Sequence, residues 1–204
     1  GGDMLNQKIY SQGYLDSACF LYALMNAYKS LVSPQQNIRA FNNQYGHHKW
    51  KKLVAITPSV ANFLNGFGSY VDINKPDVDL GIKDSLVDHA CKIFSGSKKQ
   101  FFAEKICMQD IGSVDFTSSV LIFCERRAAH TSFHQDLDHW LCAVNNHHGQ
   151  LLLACSFTLY CHDHYQEFTE REFLRSYNNC IDISGITART IYQKSVYKLS
   201  MSEA

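Results

Sequence analysis

Apolar residues recur at intervals of three and four near the start of the chain, the spacing that lines one face of an α-helix. We therefore predict a helix over about Ser17–Val32, with Asp16 or Ser17 as its N-cap residue. The apolar positions that form this pattern are Ala18, Leu21, Tyr22, Met25 and Tyr28.

Four other segments before residue 115 have weaker patterns. Asp84–Phe94 has helical spacing, and Pro58–Phe67 is predicted as another helix. Lys98–Cys107 begins polar and becomes apolar. Asn37–Lys52 is polar and basic, so we expect a loop containing a short helix. Within it, the basic and aromatic patch His47–Lys52 is expected to be solvated, or to contact an acidic peptide or a partner.

Beyond residue 115 the pattern changes to short apolar runs that predict strands. Ser118–Cys124 reads as a buried strand. Trp140–Val144 and Leu151–Phe157 are two more, and the residues between them, Asn145–Gly149, have the composition of a hairpin turn. Ala188–Leu199 is predicted to form the last strand.

The order of these elements, helices first and antiparallel strands afterwards, predicts the α+β class. Thr169–Glu172 has the form of a capping box, so one further helix is predicted to follow it. A chain of 204 residues fits a single domain, 1–204. We divide it into a helical part of about 12–115 and a sheet part of about 116–204.

Composition and charge exclude several classes of protein. The chain has 19 Lys+Arg, 19 Asp+Glu and 46% hydrophobic residues, which is not the composition of a disordered chain. Zero net charge gives no electrostatic signature of nucleic-acid binding. No apolar run approaches the ~20 residues of a membrane span. We expect a soluble protein with no nucleic-acid partner, and the sequence does not indicate an oligomeric state.

Eight cysteines and ten histidines raise the questions of disulfides and metals. A chain of this length needs no disulfide to stabilise its core, and it contains no CxxC pair, so we expect reduced thiols and a cytoplasmic setting. Seven of the cysteines are expected to be packing residues. Zinc ligands are an alternative role for the histidines, but their spacings match no closed site, and no metal or cofactor is expected. The residues considered were His130, His134, His147, His148 and Cys161–His164.

Cys19 is the cysteine whose position suggests chemistry, because it lies in the first turn of the strongest predicted helix. The exposed N–H groups and the dipole of a helix N-terminus stabilise a thiolate and lower a thiol pKa from its usual ~8.5. Gln12, seven positions earlier, could form a two-donor oxyanion hole with the Cys19 backbone N–H. His139, 120 residues downstream at the start of a strand, could take the thiol proton and return it to a leaving amine.

This arrangement of Gln12, Cys19 and His139 resembles the papain-like cysteine peptidases, and most closely the compact bacterial branch that includes the bacteriocin-leader processing peptidases. Residues 12–28 and 138–177 carry the resemblance. It implies a helical subdomain with the cysteine packed on an antiparallel sheet with the histidine, and an active site in the cleft between them. The implied activity is hydrolysis of a peptide or other amide bond through a thioester acyl-enzyme.

Three positions depart from the family pattern. Phe20 follows the cysteine where Gly or Trp is common, and the spacing from Gln12 is one residue longer. The family also places Asn or Asp 16 or 17 residues after the histidine, where this chain has Cys155 and Ser156. Ser156 can accept a hydrogen bond from an imidazole N–H and is our candidate for orienting His139. The alternatives are Cys155, Asp163, Asp136, Asp138 or a dyad without a third residue.

Two other functions stay open from the sequence. An acyltransferase of the same fold would use an amine in place of water at the thioester. A catalytically inactive papain-like domain would keep the cleft and act in binding or regulation. The expected partner in every case is a peptide or protein.

Overall fold

Helices precede strands along the chain, and the strands form one antiparallel sheet, so the predicted α+β class is confirmed. The computed structural model describes residues 7–11, 18–57, 71, 75–126, 139–156 and 175–203. Within these residues the helices are α1 (Cys19–Val32), α2 (Ile38–Phe41), α3 (His47–Ile56) and α4 (Pro76–Phe94). The strands are β1 (Lys99–Lys105), β2 (Ser119–Glu125), β3 (His139–His147), β4 (Gln150–Ala154), β5 (Asn179–Asp182) and β6 (Tyr197–Glu203).

Helix α1 lies in the core, and twelve of its 14 residues are buried. A helix that is apolar on nearly all sides is stable in water only when other elements cover it. The helix predicted at this position is therefore confirmed. Its N-cap position is occupied by Ala18, however, and not by Asp16 or Ser17, and Ala18 makes no side-chain cap.

The segment Asn37–Lys52, predicted to be mainly loop, is helical instead. Helix α2 runs into a π-helical turn, Asn42–Gly46, and this turn runs directly into α3. The polar sequence folds in this way because single apolar residues, such as the buried Phe41 and Leu53, anchor it to the core. Gly46 is required here, because a Cβ atom at this position would lie 2.2 Å from the Tyr10 hydroxyl.

The helix predicted over Asp84–Phe94 is confirmed and begins earlier, at Pro76. Proline suits the first turn of a helix, and Asp77 and Asp79 in that turn interact favourably with the helix dipole. The helices predicted at Pro58–Phe67 and after Thr169–Glu172 lie outside the described residues.

The six strands are arranged in the order β1-β6-β2-β3-β4-β5, and every neighbouring pair is antiparallel. The predicted strand Ser118–Cys124 is confirmed as β2. The sheet also takes in β1, which lies in the part of the chain predicted to be helical. The prediction of a strand over Ala188–Leu199 is wrong in its bounds, because β6 begins at Tyr197 and only Ile191 forms an isolated bridge before it.

The predicted hairpin is confirmed with a shorter turn. Strand β3 continues to His147, which leaves only His148 and Gly149 in the turn, at φ 49° and 88°. Two successive positive φ values are typical of the two-residue type I′ turn, whose twist matches that of the flanking strands.

Each face of the central strands packs against its own apolar cluster. On one face, Trp140 and Cys142 of β3 share a cluster with α1. On the other face, Leu141 and Ala143 pack with Leu121 and Phe123 of β2. Since side chains alternate along a strand, odd-numbered residues of β2 and β3 face away from α1. Within the described residues no helix is long and apolar enough to cross a membrane.

The cysteines of the described residues form no disulfide with one another. The expectation that all except Cys19 pack in the interior is wrong for Cys107, which is exposed. Cys180 is only partly buried, whereas Cys91, Cys124, Cys142 and Cys155 are buried.

Arg175 joins the helical part to the sheet. Its guanidinium is buried and donates hydrogen bonds to the carbonyl oxygens of Ser30 in α1 (3.0 Å) and Val144 in β3 (3.2 Å). It also donates to the carbonyls of Phe116 and Thr117, just before β2. Hydrogen bonds from a charged donor are stronger than neutral ones, so this residue fixes α1 against the sheet.

Replacing Arg175 is predicted to weaken this junction strongly. The change Arg175→Met should lower the free energy of unfolding by about 3 kcal/mol or more, because it leaves several buried carbonyls without a donor. Urea denaturation measures the loss, and Arg189→Met, at an exposed arginine, is the matched control. A similar unfolding midpoint for the two variants would contradict the role of Arg175.

Candidate functional site

Cys19 is the first residue of α1 and lies against the start of β3. Its side chain is buried, with 1% of the residue exposed, and its Sγ accepts a hydrogen bond from the backbone N–H of Trp140 at 3.5 Å. The first N–H groups of α1 have no partner within the helix, because its hydrogen bonds run from each N–H back to a carbonyl four residues earlier. The sulfur therefore accepts a strand N–H and belongs to the first residue of a helix.

The hydrogen bond from Trp140 to Cys19 follows from the geometry of the sheet. Cys124 of β2 lies directly opposite Trp140. Its N–H donates to Ser195 Oγ and its carbonyl accepts from the Tyr192 N–H, so both backbone groups point away from β3. In such a non-hydrogen-bonded pair the opposite residue also points its backbone groups outward. On that side β4 ends at Ala154. The cysteine sulfur therefore takes the place of the carbonyl that a longer β4 would supply.

His139 directly precedes Trp140 and is also buried. The 3.5 Å contact between Sγ and the Trp140 nitrogen, combined with standard backbone dimensions, places Cys19 Sγ within about 6 Å of His139 Cα. The backbones of the two residues predicted to carry the chemistry, 120 positions apart in the sequence, are thus neighbours, whereas the His139 side chain lies on the face of β3 that points away from α1.

The His139 ring is held from the side of β4. Its Nε2 lies 3.3 Å from Sγ of Cys155, the residue that follows β4 and comes 16 positions after the histidine. Cys155 was one of the alternatives for this position. Ser156, the candidate orienter, is buried beside it, and its role in orienting the ring stays a prediction.

Asn178 holds the backbone of Cys155 in place where β4 has ended. Its side-chain Oδ1 accepts from the Cys155 N–H and its Nδ2 donates to the Cys155 carbonyl, both at 2.7 Å. The amide thereby replaces a neighbouring strand and satisfies both buried backbone groups. Sequence reasoning missed Asn178, because no local pattern links it to a residue 23 positions away.

Glu125 is a second residue that sequence reasoning missed. It ends β2 directly opposite His139, so the two side chains lie on the same face of the sheet, with Cβ atoms about 5 Å apart. Burial raises the pKa of the Glu125 carboxyl to about 7. The sequence does show a single acidic residue at the end of an apolar strand, which could have marked Glu125. Its position opposite His139 follows only from the β2–β3 register.

Phe20, which departs from the family pattern, has a packing role. Its ring meets the buried Trp140 ring edge-on, with centroids 4.8 Å apart. The other side of the indole faces Lys83 Nζ at 5.7 Å, and this ammonium forms a buried ion pair with Asp79 at 2.7 Å. Aromatic packing beside the nucleophile candidate thus fixes the first turn of α1 on β3.

Several predicted site residues lie outside the described residues. These are Gln12 and the carboxylate alternatives Asp136, Asp138 and Asp163. Most of the residues considered as zinc ligands also lie outside: His130, His134, Cys161, His162 and His164. His147 and His148 occupy the hairpin, with ring centroids 4.5 Å apart. Among the described residues no group of three or more metal-binding side chains is found.

The raised pKa of Glu125 predicts a pH-dependent stability. A carboxyl whose folded-state pKa is raised stabilises the fold in its protonated form, so this contribution is complete below about pH 4.5 and is lost as pH rises through about 7. Glu125→Gln should therefore gain up to about 3 kcal/mol relative to wild type between pH 4.5 and 8.

Urea unfolding at a series of pH values measures this difference. Glu203→Gln, at an exposed glutamate at the end of β6, is the matched control and should follow the wild-type profile. Parallel pH profiles for wild type and Glu125→Gln would contradict the assigned pKa.

Comparison with known proteins provides no further assignment. No protein-family model matches this chain, and no curated protein matches it significantly. The likeness to papain-like peptidases therefore stays a prediction from the residues themselves.

Proposed function

We propose that this protein is a cysteine hydrolase of papain-like type that cleaves a peptide or other amide bond. The observation that supports it best is the hydrogen bond from the Trp140 N–H to Cys19 Sγ, because it joins the thiol of the first residue of α1 to the residue that follows His139. An activated cysteine nucleophile needs donors that stabilise a thiolate and a base that can reach the thiol. The proposal therefore requires the His139 ring, which lies on the other face of β3, to reach Cys19 around the start of the strand.

In the proposed reaction His139 accepts the thiol proton of Cys19, and the thiolate attacks the amide carbonyl carbon. The backbone N–H of Cys19, with Gln12, stabilises the resulting oxyanion. The imidazolium gives its proton to the departing amine as the C–N bond breaks, which leaves a thioester on Cys19. Water then attacks this thioester and loses its proton to His139, and the thiol and a carboxylic acid are released.

The contact of His139 with Cys155 fits the tautomer of the neutral imidazole that carries its proton on Nε2. If Nε2–H donates to the Cys155 sulfur, Nδ1 carries the lone pair that a general base needs. Sulfur is a weak acceptor, so the tautomer is held less firmly than by a carboxylate or an amide. Asn178 then acts as a positioning residue, because it fixes Cys155.

A binding or regulatory domain without catalysis is the second candidate. Two observations favour it: Cys19 is only 1% exposed, and the group on His139 Nε2 is a thiol. Such a domain would bind a peptide in the same place without forming a thioester.

Peptide cleavage separates the two candidates. The hydrolase should cleave members of a mixture of unstructured peptides, detected by mass spectrometry. Cys19→Ser and His139→Gln should each reduce the rate by at least about 10³-fold, because each removes a reacting group. Cys107→Ser, at an exposed cysteine, is the control and should keep the wild-type rate.

Cleavage that survives Cys19→Ser would contradict the proposed nucleophile. Peptides bound but never cleaved, with no thioester adduct in the intact mass of the protein, would favour the binding domain.

A further inference from the structure

The solvent face of the first six residues of α3 consists of two histidines and two lysines. His47, His48, Lys51 and Lys52 are all exposed. At 100° per residue these four positions span about 140° of the helix surface, so they form one stripe. Trp50, on the other side of α3, packs on Tyr22 of α1 with ring centroids 5.0 Å apart. We call His47, His48, Lys51 and Lys52, together with the exposed Arg39, the cationic surface.

The stretch of sequence that carries the cationic surface contains no acidic residue. Residues 18–57 contain five Lys or Arg and no Asp or Glu, although the whole chain has zero net charge. His47 and Lys51, and likewise His48 and Lys52, are four positions apart on the helix. When the histidines are protonated, each pair repels and destabilises the helix by a few tenths of a kcal/mol. Lys49, between these residues, has its pKa lowered by burial and then by the neighbouring Lys52.

The ion pairs between described residues lie elsewhere, on α4, β1 and β6 and at Lys194. The pairs are Lys83–Asp79, Lys105–Asp84, Lys194–Asp77 and Lys198–Glu104. None of these pairs between described residues includes a residue of the cationic surface.

A cavity of about 290 Å³ adjoins the stripe and is lined by hydrogen-bond donors. The Tyr10 hydroxyl donates to Asn42 Oδ1 at 2.5 Å, so the Asn42 amide offers its Nδ2–H groups to other partners. Arg39 adds positive charge, and none of the described residues that line the cavity is a carboxylate. Its lining residues are Gln7, Asn37, Ile38, Arg39, Asn42, Asn43 and His47.

We propose that the cationic surface and this cavity bind an acidic segment of the peptide substrate. A cavity of this volume accommodates a side-chain carboxylate, and an arginine beside amide donors matches the planar, bidentate geometry of that group. Neighbouring acidic residues of the segment would then pair with Lys51 and Lys52. This inference rests on the proposed function, since it treats the bound peptide as the substrate.

The side of α3 opposite the cationic surface contacts α1. Tyr22, which contacts Trp50, lies one helical turn after Cys19. Helix α3 thus lies beside the helix that begins with the nucleophile candidate. Substrates with acidic residues on one side of the scissile bond are the class that this arrangement selects.

Binding is tested with a fluorescein-labelled peptide of alternating Glu and Gly and the Cys19→Ser protein, which cannot consume it. Fluorescence anisotropy should show binding that weakens as salt is raised. Adding Lys51→Glu and Lys52→Glu should weaken it at least about tenfold. The control pair Lys75→Glu and Lys98→Glu makes the same charge change at exposed lysines elsewhere and should change affinity less than twofold.

Three results would overturn the inference. One is unchanged peptide affinity when the charges of Lys51 and Lys52 are reversed. Another is an equal loss of affinity in the control pair, which would mean that binding depends on net charge alone. The third is tighter binding of labelled oligothymidylate than of the acidic peptide, which would make the surface a nucleic-acid site. Unfolding midpoints of the variants exclude misfolding as the cause of lost binding.

The same variants separate this inference from the proposed function. Salt-sensitive binding that needs Lys51 and Lys52, without peptide cleavage by the wild type, would support the surface and contradict the hydrolase. Cleavage by Cys19 with the same KM for acidic and neutral peptides would support the hydrolase and overturn the surface.

Discussion

A buried backbone N–H must have an acceptor, and at the start of β3 that acceptor is a cysteine sulfur. β4 ends before it can pair with Trp140, and Cys19 supplies the missing partner at 3.5 Å. The position of α1 follows from this contact, from the edge-on packing of Phe20 and Trp140, and from the buried guanidinium of Arg175. Any displacement of the helix along the sheet would break these contacts together. The thiol is therefore placed by the core of the protein.

The two faces of the sheet carry different groups around the hydrogen bond from Trp140 to Cys19. On the face toward α1, aromatic rings and the buried Lys83–Asp79 pair fix the helix. On the opposite face, His139, Cys155 and Glu125 come together through strand register and the Asn178 amide. The sulfur of Cys19 lies near the strand backbone that separates the two groups. In the proposed hydrolase, one face supplies rigidity and the other supplies the groups that take up and release protons.

Strong local patterns were sufficient to predict α1, β2 and the β3–β4 hairpin, because their apolar spacing reflects how each is buried. Cys19 at a helix start and His139 at a strand start were found from the same patterns. The helical course of Asn37–Lys52 could not be predicted, since a few long-range apolar anchors outweigh a polar sequence. Asn178 and Glu125 were missed for a related reason: their contacts depend on where β4 ends and on the β2–β3 register.

The central claim is that Cys19 and His139 act as a thiolate–imidazolium pair, and the pH dependence of Cys19 alkylation tests it most directly. With iodoacetamide and peptide mapping, Cys19 should react already at pH 6, with a midpoint well below the ~8.5 of an ordinary thiol. The exposed Cys107 is the internal reference in the same sample. His139→Gln should move the Cys19 midpoint to about 8.5 or above. A midpoint of 8.5 or higher in wild type, unchanged by His139→Gln, would contradict the account.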